Sequence, residues 1–355
     1  MDISQFEVMR ILVTGSAGHL GEALMLQLHE LGHQNVLGVD ILESRFTTNV
    51  GSVSDRDFVS ACMRGVDVVY HTATLHKPHV ATHTRQQFVD TNITGTLNLL
   101  EEAVAQPNPP VFIFTSTTSV FGDALEPDSA SDPAVWITED TVPISKNIYG
   151  VTKIAAENMC QLFHRNQGLS CIILRTSRFF PEEDDNEETR AGYSDQNAKG
   201  NEYLHRRVEI QDCVNAHLQA AERARTIGFG RYIISASTPF LRDREELIQL
   251  RLDPTNVISK RVPFFEQAYA AAGWKMSPSI SRVYDNSLAR RDLDWHPKYD
   301  FEYICKSLIF QHSLGPAAEG YSIASPRALQ IGRKYYHGQS DRAEEGQGPY
   351  PTIDP

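Results

Sequence analysis

Short apolar runs alternate with longer segments of mixed character along the first half of the chain. The clearest runs cover residues 8–13, 35–39, 66–70, 111–114 and 171–174. A buried strand has a continuous apolar run, whereas a surface helix has apolar residues on one side only. Strands and helices that alternate up to about residue 180 are typical of a doubly wound parallel sheet. The pattern therefore predicts an α/β fold.

The first apolar run leads into a turn that contains Gly15, Gly18 and Gly21. A strand that reverses into a helix over a phosphate needs residues that tolerate positive φ and have no Cβ in the way. Three glycines would supply the turn, the close approach and the contact between helix and strand. Glycine is also common in ordinary turns. We predict that this turn, with His19 and Leu20 inside it, binds a nucleotide.

An acidic residue, Asp40, ends the second apolar run, 40 − 21 = 19 residues after the last glycine of the turn. A carboxylate at this distance accepts hydrogen bonds from a ribose 2′-hydroxyl and repels a 2′-phosphate. The position therefore favours NAD over NADP. Two alternatives stay open: Asp40 only caps a turn, or Arg45 binds a phosphate and the cofactor is NADP.

Tyr149 and Lys153 are four residues apart at the start of a segment that continues with helical spacing. The spacing places both side chains on one face of one helix. A phenol with a pKa near 10 is a poor base at neutral pH, and a neighbouring ammonium stabilises its phenolate. The pair is therefore a candidate proton carrier. The alternative is an ordinary helix with a solvated lysine.

The apolar run 111–114 ends in five hydroxyl residues, 115–119. Such side chains compete with backbone hydrogen bonds and usually mark loops. Ligands bind at the carboxyl ends of strands in open α/β sheets, where a hydroxyl can hold a substrate oxygen. The run therefore indicates either a substrate contact or a Ser/Thr-rich loop without chemistry.

Together these motifs resemble the extended branch of the short-chain dehydrogenase/reductase superfamily, the NAD-dependent epimerases and dehydratases. Three further segments share the resemblance: 68–73, 90–96 and 290–297. In the last of them Asp294 replaces the glycine of the family's leucine-glycine-tryptophan-proline motif. The resemblance implies a Rossmann sheet with a smaller C-terminal substrate-binding lobe, and NAD as the cofactor.

The resemblance also implies roles for individual residues. It makes Tyr149 the acid/base and Lys153 its partner, and places Thr117 at the catalytic Ser/Thr position with Thr118 beside it on the substrate side. Phe121 replaces a tyrosine of many relatives. The cofactor side comprises Gly15, Gly18, His19, Leu20, Gly21, Asp40, Thr72, Ala73, Asn92, Tyr149 and Lys153, of which Asn92 would steady the helix and the framework of the site.

Candidate substrate contacts lie in three segments of the chain. His76 and His79 follow the strand near residues 66–70 and would either face the substrate or be solvated loop residues. Arg178 occupies the place of a substrate-contacting asparagine, and a cation there would bind a carboxylate, phosphate or hydroxyl unless adjacent acids neutralise it. His205 aligns with a diphosphate-binding arginine, which Arg206 or the next residue could replace by a register shift.

A second phosphate-binding arginine is not evident, and Lys275 is nearest to its expected position. This departure argues against a uridine diphosphate sugar. We expect hydride transfer to or from a secondary alcohol carbon of a sugar or a nucleotide-sugar-like substrate, which ends in epimerisation, or in net oxidation or reduction if the ketone leaves. Alternatives are a ketoreductase or dehydrogenase for a non-sugar molecule, and a non-catalytic NAD-binding sensor.

The resemblance further implies a domain division. Residues 1–180 would form the NAD-binding domain, to which 205–240 return. Residues 181–204 and 241–315 would form the substrate lobe. Residues 316–355, polar and rich in Gly and Pro toward the end, would be a tail that packs over the surface or stays mobile. A homodimer is expected from the resemblance only, through the helix of Tyr149 and the helix around 92–105.

Composition adds limits. The 355 residues are 41% hydrophobic, enough for a sizeable core, and the formal net charge of −12 argues against nucleic acid as a partner. No apolar segment nears the ~20 residues that cross a bilayer, and Asp2 and Glu7 replace the basic residues of an export signal. We expect a cytoplasmic protein without a membrane partner. The five cysteines form no CxxC pair, so neither disulfides nor a metal site is predicted.

Overall fold

The computed structural model describes residues 9–129, 131–180, 186–314, 323–328 and 330–331. Its centre is a parallel sheet of seven strands in the order β3-β2-β1-β4-β5-β7-β8. The strands of this sheet are β1 (Ile11–Thr14), β2 (Val36–Asp40), β3 (Asn49–Val50), β4 (Val68–His71), β5 (Val111–Thr117), β7 (Cys171–Thr176) and β8 (Phe229–Ile234). The predicted doubly wound parallel sheet is confirmed.

Helices cover both faces of the sheet, as the crossover connections of a parallel sheet require. They comprise α1 (His19–Glu30), α2 (Arg56–Met63), α3 (Arg85–Phe88), α4 (Gly95–Val104), α5 (Ile148–Gln167) and α8 (Ile210–Ile227). Apolar side chains of α1 and α8 pack on one face, and those of α2, α4 and α5 on the other. Because both faces are covered, all seven residues of β5 are buried.

A smaller lobe lies beyond the sheet and has its own core. Strands β6 (Val135–Ile137) and β9 (Arg282–Tyr284) form a parallel pair in it. Its helices are α6 (Glu187–Gly192), α7 (Asp195–Glu202), α9 (Arg244–Leu252), α10 (Pro254–Arg261), α11 (Phe265–Ala272) and α13 (Phe301–Leu314), whereas α12 (Ser287–Leu293) packs beside α8 and β8.

The helix that carries Tyr149 and Lys153 has defined ends. The Asn147 side chain accepts a hydrogen bond from the Gly150 backbone N–H and caps the first turn of α5. Gly168 follows the last turn in the left-handed conformation, with φ 72°. The predicted helix is therefore fixed at its N-terminus, where Tyr149 lies.

The backbone conformation at Asp294 explains why the family motif has a glycine at this position. It follows α12 with φ 54° and is the one non-glycine residue with positive φ in the described part of the chain. Aspartate tolerates this conformation better than most residues with a Cβ.

Part of the predicted tail lies on the surface of the sheet domain. Arg327 forms an ion pair with Glu30 at the end of α1, and Ile331 is buried in the adjoining core. The other residues of the predicted tail, including 332–355, lie outside the described residues. Across the described ranges, no helix is both long and apolar enough to cross a membrane.

Candidate active site

A cavity of about 400 Å³ opens at the carboxyl ends of β1, β4, β5 and β7. This is the edge of a parallel sheet where ligands bind. Most residues that the sequence singled out line this cavity. They are Gly15, Gly18, His19, Leu20, Gly21, Asp40, Thr72, His76, Thr117, Thr118, Tyr149, Arg178 and Arg206.

The glycine turn has the close packing that the sequence predicted. Gly15 has φ 74°, and a Cβ there would lie 2.7 Å from the Ala73 backbone nitrogen. A Cβ on Gly21 would lie 1.9 Å from the Gly15 carbonyl oxygen. Gly18 is the N-cap residue of α1, and since glycine has no side chain, the first turn of the helix lacks a side-chain cap at this position. Such an uncapped helix N-terminus can bind a phosphate.

Asp40 lies at the carboxyl end of β2 and is buried. One carboxylate oxygen accepts the Ala17 backbone N–H at 3.0 Å, and the other accepts the Leu42 N–H at 3.0 Å. Burial raises its pKa, and these hydrogen bonds oppose the rise. Each oxygen can accept a further hydrogen bond, for example from a ribose hydroxyl.

Arg45, the candidate for binding the 2′-phosphate of NADP, contacts Glu22. Its guanidinium forms an ion pair with the Glu22 carboxylate at 2.8 Å. It also lies over the Phe46 ring, 4.6 Å from the centroid. The arrangement directs Arg45 toward α1 and an acid, which is unfavourable for binding a 2′-phosphate.

Tyr149 is buried in the wall of the cavity on the first turn of α5. Burial raises its pKa to about 12, although the nearby Thr117 side chain acts in the opposite direction. The Thr117 Oγ1 accepts the Ser119 backbone N–H at 3.1 Å. Tyr149 and Thr117 therefore meet across the site, one from α5 and one from the end of β5.

Lys153 lies one turn further along α5 and is 2% exposed, behind the cavity wall. Its Nζ is 4.0 Å from the centroid of the Phe114 ring. Burial lowers the pKa of Lys153 to about 7, and the charge of Glu157 partly offsets this. The amine can therefore change its charge state near neutral pH.

Asn92 and Ala73 are not among the residues that line the cavity. The Asn92 amide donates to the Leu75 carbonyl and to the Thr152 Oγ1, and its oxygen accepts from the Leu75 N–H and the Thr74 hydroxyl. These four bonds satisfy the side chain. Ala73 packs beneath Gly15. Asn92 thus joins the loop after β4 to α5.

His79 is not among the residues that line the cavity. It is buried, and its Nδ1 accepts the His76 backbone N–H at 2.9 Å across a short 3-10 helix, Lys77–Ala81. Burial lowers its pKa to about 2. His79 therefore caps this turn, whereas His76 lines the cavity.

An aromatic cluster covers the cavity beside the glycine turn. His76 stacks on Phe180 at 4.9 Å between ring centroids, and His19 lies parallel to Phe179 at 6.1 Å. Phe179 and Phe180 follow β7, and sequence reasoning did not assign them to the site. Their position directly after a strand that ends at the cavity was the available signal.

Arginines enter the cavity from the segment that follows β7 and from residues 203–208. Arg178 and Arg206 line it, and both contact Glu202, at 3.5 Å and 2.7 Å. Arg207, which is buried, contacts the same carboxylate at 2.8 Å. Burial opposes ionisation of Glu202, but the three arginines outweigh it and lower the pKa to about 2.

Of the candidate phosphate-binding residues, Arg206 lines the cavity, whereas His205 and Lys275 are not among its lining residues. Two further cations line the cavity: Lys146 precedes α5, and Arg282 lies on β9 with Glu126 at 2.8 Å. No local sequence pattern indicates Arg282, because the pairing of β9 with β6 brings it to the cavity.

All five cysteines are buried free thiols. Within the described ranges, no group of three or more His, Cys, Asp or Glu side chains is arranged to hold a metal ion.

Comparisons with known proteins were made with the sequence and with the fold. The sequence profile of the NAD dependent epimerase/dehydratase family matches residues 11–234. An uncharacterized UDP-glucose epimerase of Bacillus subtilis is 30% identical over 188 residues, which is 47% of this chain and 55% of that protein. A 3-beta-hydroxysteroid dehydrogenase of Mycolicibacterium neoaurum is 28% identical over 178 residues, 47% of each chain. The chain thus spans about half the length of the curated relatives that it matches.

Solved structures agree on the fold. A UDP-N-acetylglucosamine 4-epimerase from Bacillus cereus superposes with a TM-score of 0.57 at 19% identity, over 85% of this chain and 98% of that chain. A short-chain dehydrogenase/reductase superfamily protein from Agrobacterium tumefaciens, with bound NAD, gives 0.59 at 21% identity, over 86% and 98%.

The family match confirms the predicted resemblance to the NAD-dependent epimerases and dehydratases, and NAD is the cofactor named for that family. Since the matched residues 11–234 are more than half of the chain and include the glycine turn, Asp40, Thr117, Tyr149 and Lys153, the chain belongs to the NAD dependent epimerase/dehydratase family.

Proposed function

We propose that this protein transfers a hydride to or from a secondary alcohol carbon of a sugar or nucleotide-sugar-like substrate, with Tyr149 as the acid/base. The observation that carries the proposal is that Tyr149 on α5 and Thr117 at the end of β5 line the same cavity. A hydroxyl and a phenol that converge on one point can hold a reacting oxygen and move its proton.

The residues around the glycine turn fit NAD. The uncapped N-terminus of α1 suits the pyrophosphate, and Asp40, which lines the same cavity, retains acceptor capacity for a ribose hydroxyl. We propose that Thr72, His19 and Leu20 contact the cofactor from the same wall. When bound, NAD supplies or accepts the hydride.

Proton movement is the task of the chain's own residues. In the oxidation direction, Tyr149 takes the proton of the substrate hydroxyl while Thr117 donates a hydrogen bond to the same oxygen. The ammonium form of Lys153, one turn away on α5, stabilises the phenolate electrostatically. In the reduction direction, Tyr149 returns the proton to the oxygen.

We propose that the substrate contacts Thr118, His76, Arg178 and Arg206. Arg178 and Arg206 would bind an anionic or strongly polar group, since a guanidinium forms strong hydrogen bonds with phosphate and carboxylate. The presence of Arg206 at the cavity favours a nucleotide sugar more than the sequence alone did. One relative named for a nucleotide sugar is the uncharacterized UDP-glucose epimerase of Bacillus subtilis.

The test is to incubate the purified protein with NAD⁺ and, separately, UDP-glucose, free sugars, uronates and simple secondary alcohols. Conversion of a sugar substrate without net NADH would indicate an epimerase, and accumulated NADH a dehydrogenase. Absence of both with every sugar compound would contradict the proposal. Tighter binding of NADP⁺ than of NAD⁺ would contradict the role of Asp40.

A second candidate is a dehydrogenase or ketoreductase for an apolar alcohol. It is favoured by the wall of Phe179, Phe180 and His76, which offers ring faces to a hydrocarbon substrate. NADH formation from a steroid-like alcohol, with none from sugars, would support this candidate over the first.

We also propose the domain division given above, in which residues 1–180 and 205–240 form the NAD-binding domain and residues 181–204 and 241–315 form the lobe. We propose a cytoplasmic location as well.

We further propose a homodimer. It is supported by Val151 and Leu162, apolar residues of α5 that are 51% and 48% exposed. Sedimentation of the purified protein would give its mass, and a monomer at all concentrations would contradict a dimer.

A further inference from the structure

Glu157 is a buried carboxylate that the proposed reaction does not use. It lies on α5 one turn after Lys153 and two turns after Tyr149, so the three side chains share one face of the helix. Its side chain is 1% exposed. A carboxylate is rarely buried to this extent unless charged or polar groups surround it.

Two strand ends hold the Glu157 carboxylate. Ser116, the residue before Thr117 on β5, donates its hydroxyl to one oxygen at 2.6 Å. Arg175 at the end of β7 binds both oxygens, with Nε at 3.0 and 3.2 Å and Nη2 at 2.7 Å. Arg231 on β8 adds a contact at 3.3 Å. The carboxylate thus ties α5 to three neighbouring strands.

These contacts border the proposed site. Ser116 lines the cavity beside Thr117, and Arg175 precedes Thr176, which also lines it. A shift of α5 against β5 would change the position of Tyr149 relative to Thr117. Misplacement of reacting groups by about 1 Å is enough to slow an enzyme by about a hundredfold.

Stability alone is a poor explanation for such a group. Buried ion pairs often contribute little net stability, because removing the charges from water offsets their attraction. Apolar side chains of similar volume would fill the same space. The value of this pair therefore lies in its directional bonds and in its charge.

The charge acts on Lys153. The groups around Lys153 are Tyr149, Glu157 and Cys160 on α5, His71 on β4 and the ring of Phe114 on β5. Among them Glu157 is the carboxylate, and its negative charge favours the ammonium form of Lys153.

We infer that Glu157 is a positioning residue, which fixes Tyr149 and Lys153 on α5 against Thr117 on β5. Its negative charge also favours the ammonium form of Lys153. The inference rests on the proposed function. Glu157 touches neither substrate nor cofactor and acts through the three residues of the site.

The test compares Glu157→Gln and Ser116→Ala with the wild type. Glu157→Gln removes the charge, and Ser116→Ala removes the bond to β5 together with a hydroxyl of the cavity wall. We expect Glu157→Gln to lower kcat about tenfold or more with KM within about threefold, and to move the fall of kcat at rising pH, where Lys153 loses its charge, to lower pH. Ser116→Ala should lower kcat less and leave the pH profile in place.

Asp212→Asn is the matched control. Asp212 is a buried carboxylate on α8 that accepts the backbone N–H groups of Lys298 and Tyr299, away from the cavity. The Asp212→Asn variant should lose stability without a change in the pH profile of kcat. If Glu157→Gln gives the same result as this control, or an unchanged kcat, the inference is wrong.

A second readout needs no turnover. NMR titration of the Lys153 side chain, assigned by comparing each protein with its Lys153→Met counterpart, follows the ionisation of Lys153 itself. Glu157→Gln should lower the pKa of Lys153, because the carboxylate that favours the ammonium form is gone. An unchanged titration would overturn the inference. A shifted titration in a protein that converts no substrate would instead count against the proposed function alone.

Discussion

At the scale of single residues, the same burial acts in opposite directions on the two members of the proposed proton carrier. It raises the pKa of Tyr149 to about 12 and lowers that of Lys153 to about 7. Both shifts favour the neutral forms, as expected for groups removed from water. Spacing in the sequence predicted that the two side chains share a helix face. It could not predict how deeply they are buried, because that depends on packing against β4 and β5.

Lys153 should make stability depend on pH. Its folded pKa, about 7, lies below the unfolded value of 10.5, so between these values the unfolded chain binds more protons and stability rises with pH. From pH 7 to pH 9, the wild type should gain about 1–3 kcal/mol relative to Lys153→Met. Urea unfolding of both proteins at the two pH values measures this gain. Parallel changes in the two proteins would show that Lys153 does not titrate in this range.

At the scale of elements, residues that sequence reasoning placed correctly belong to local motifs. The glycine turn, the end of β2 and the first turn of α5 each follow from a few consecutive positions. The hydrogen bonds of Asn92 and His79 could not be predicted from local motifs. They run to Thr152 on α5 and to the backbone of the loop after β4. Arg282 was missed, since a strand pair of distant residues brings it to the cavity.

The packing of the glycine turn predicts the effect of a single methyl group. In Gly21→Ala the new Cβ would meet the Gly15 carbonyl oxygen, which is backbone and cannot turn aside. We expect a loss of about 1–3 kcal/mol in the free energy of unfolding, and loss of NAD⁺ binding. Thermal unfolding and NAD⁺ titration test this.

Gly192→Ala is the matched control for that variant. A Cβ at Gly192 meets nothing within 4 Å, so both properties should stay close to the wild type. Normal NAD⁺ affinity in Gly21→Ala would show that the turn can open without harm to the nucleotide site.

At the scale of the whole molecule, two parts of the chain differ in how far the sequence defines them. The sheet domain has a continuous alternation of strands and helices, and this alternation was enough to predict its class. The lobe consists of short helices and one strand pair, without a period that identifies them from sequence. Its contribution to the site, including Arg282, depends on contacts between distant residues. The substrate is therefore less well defined than the cofactor.

The central claim is that Tyr149 moves a proton in an NAD-dependent hydride transfer. The most direct test is the rate of substrate conversion with NAD⁺ by the wild type and by Tyr149→Phe, with NAD⁺ affinity measured on the same samples. We expect Tyr149→Phe to bind NAD⁺ about as tightly as the wild type and to lose about a hundredfold or more of the rate, because the ring remains and the acid/base group does not. An equal rate in the two proteins would contradict the account.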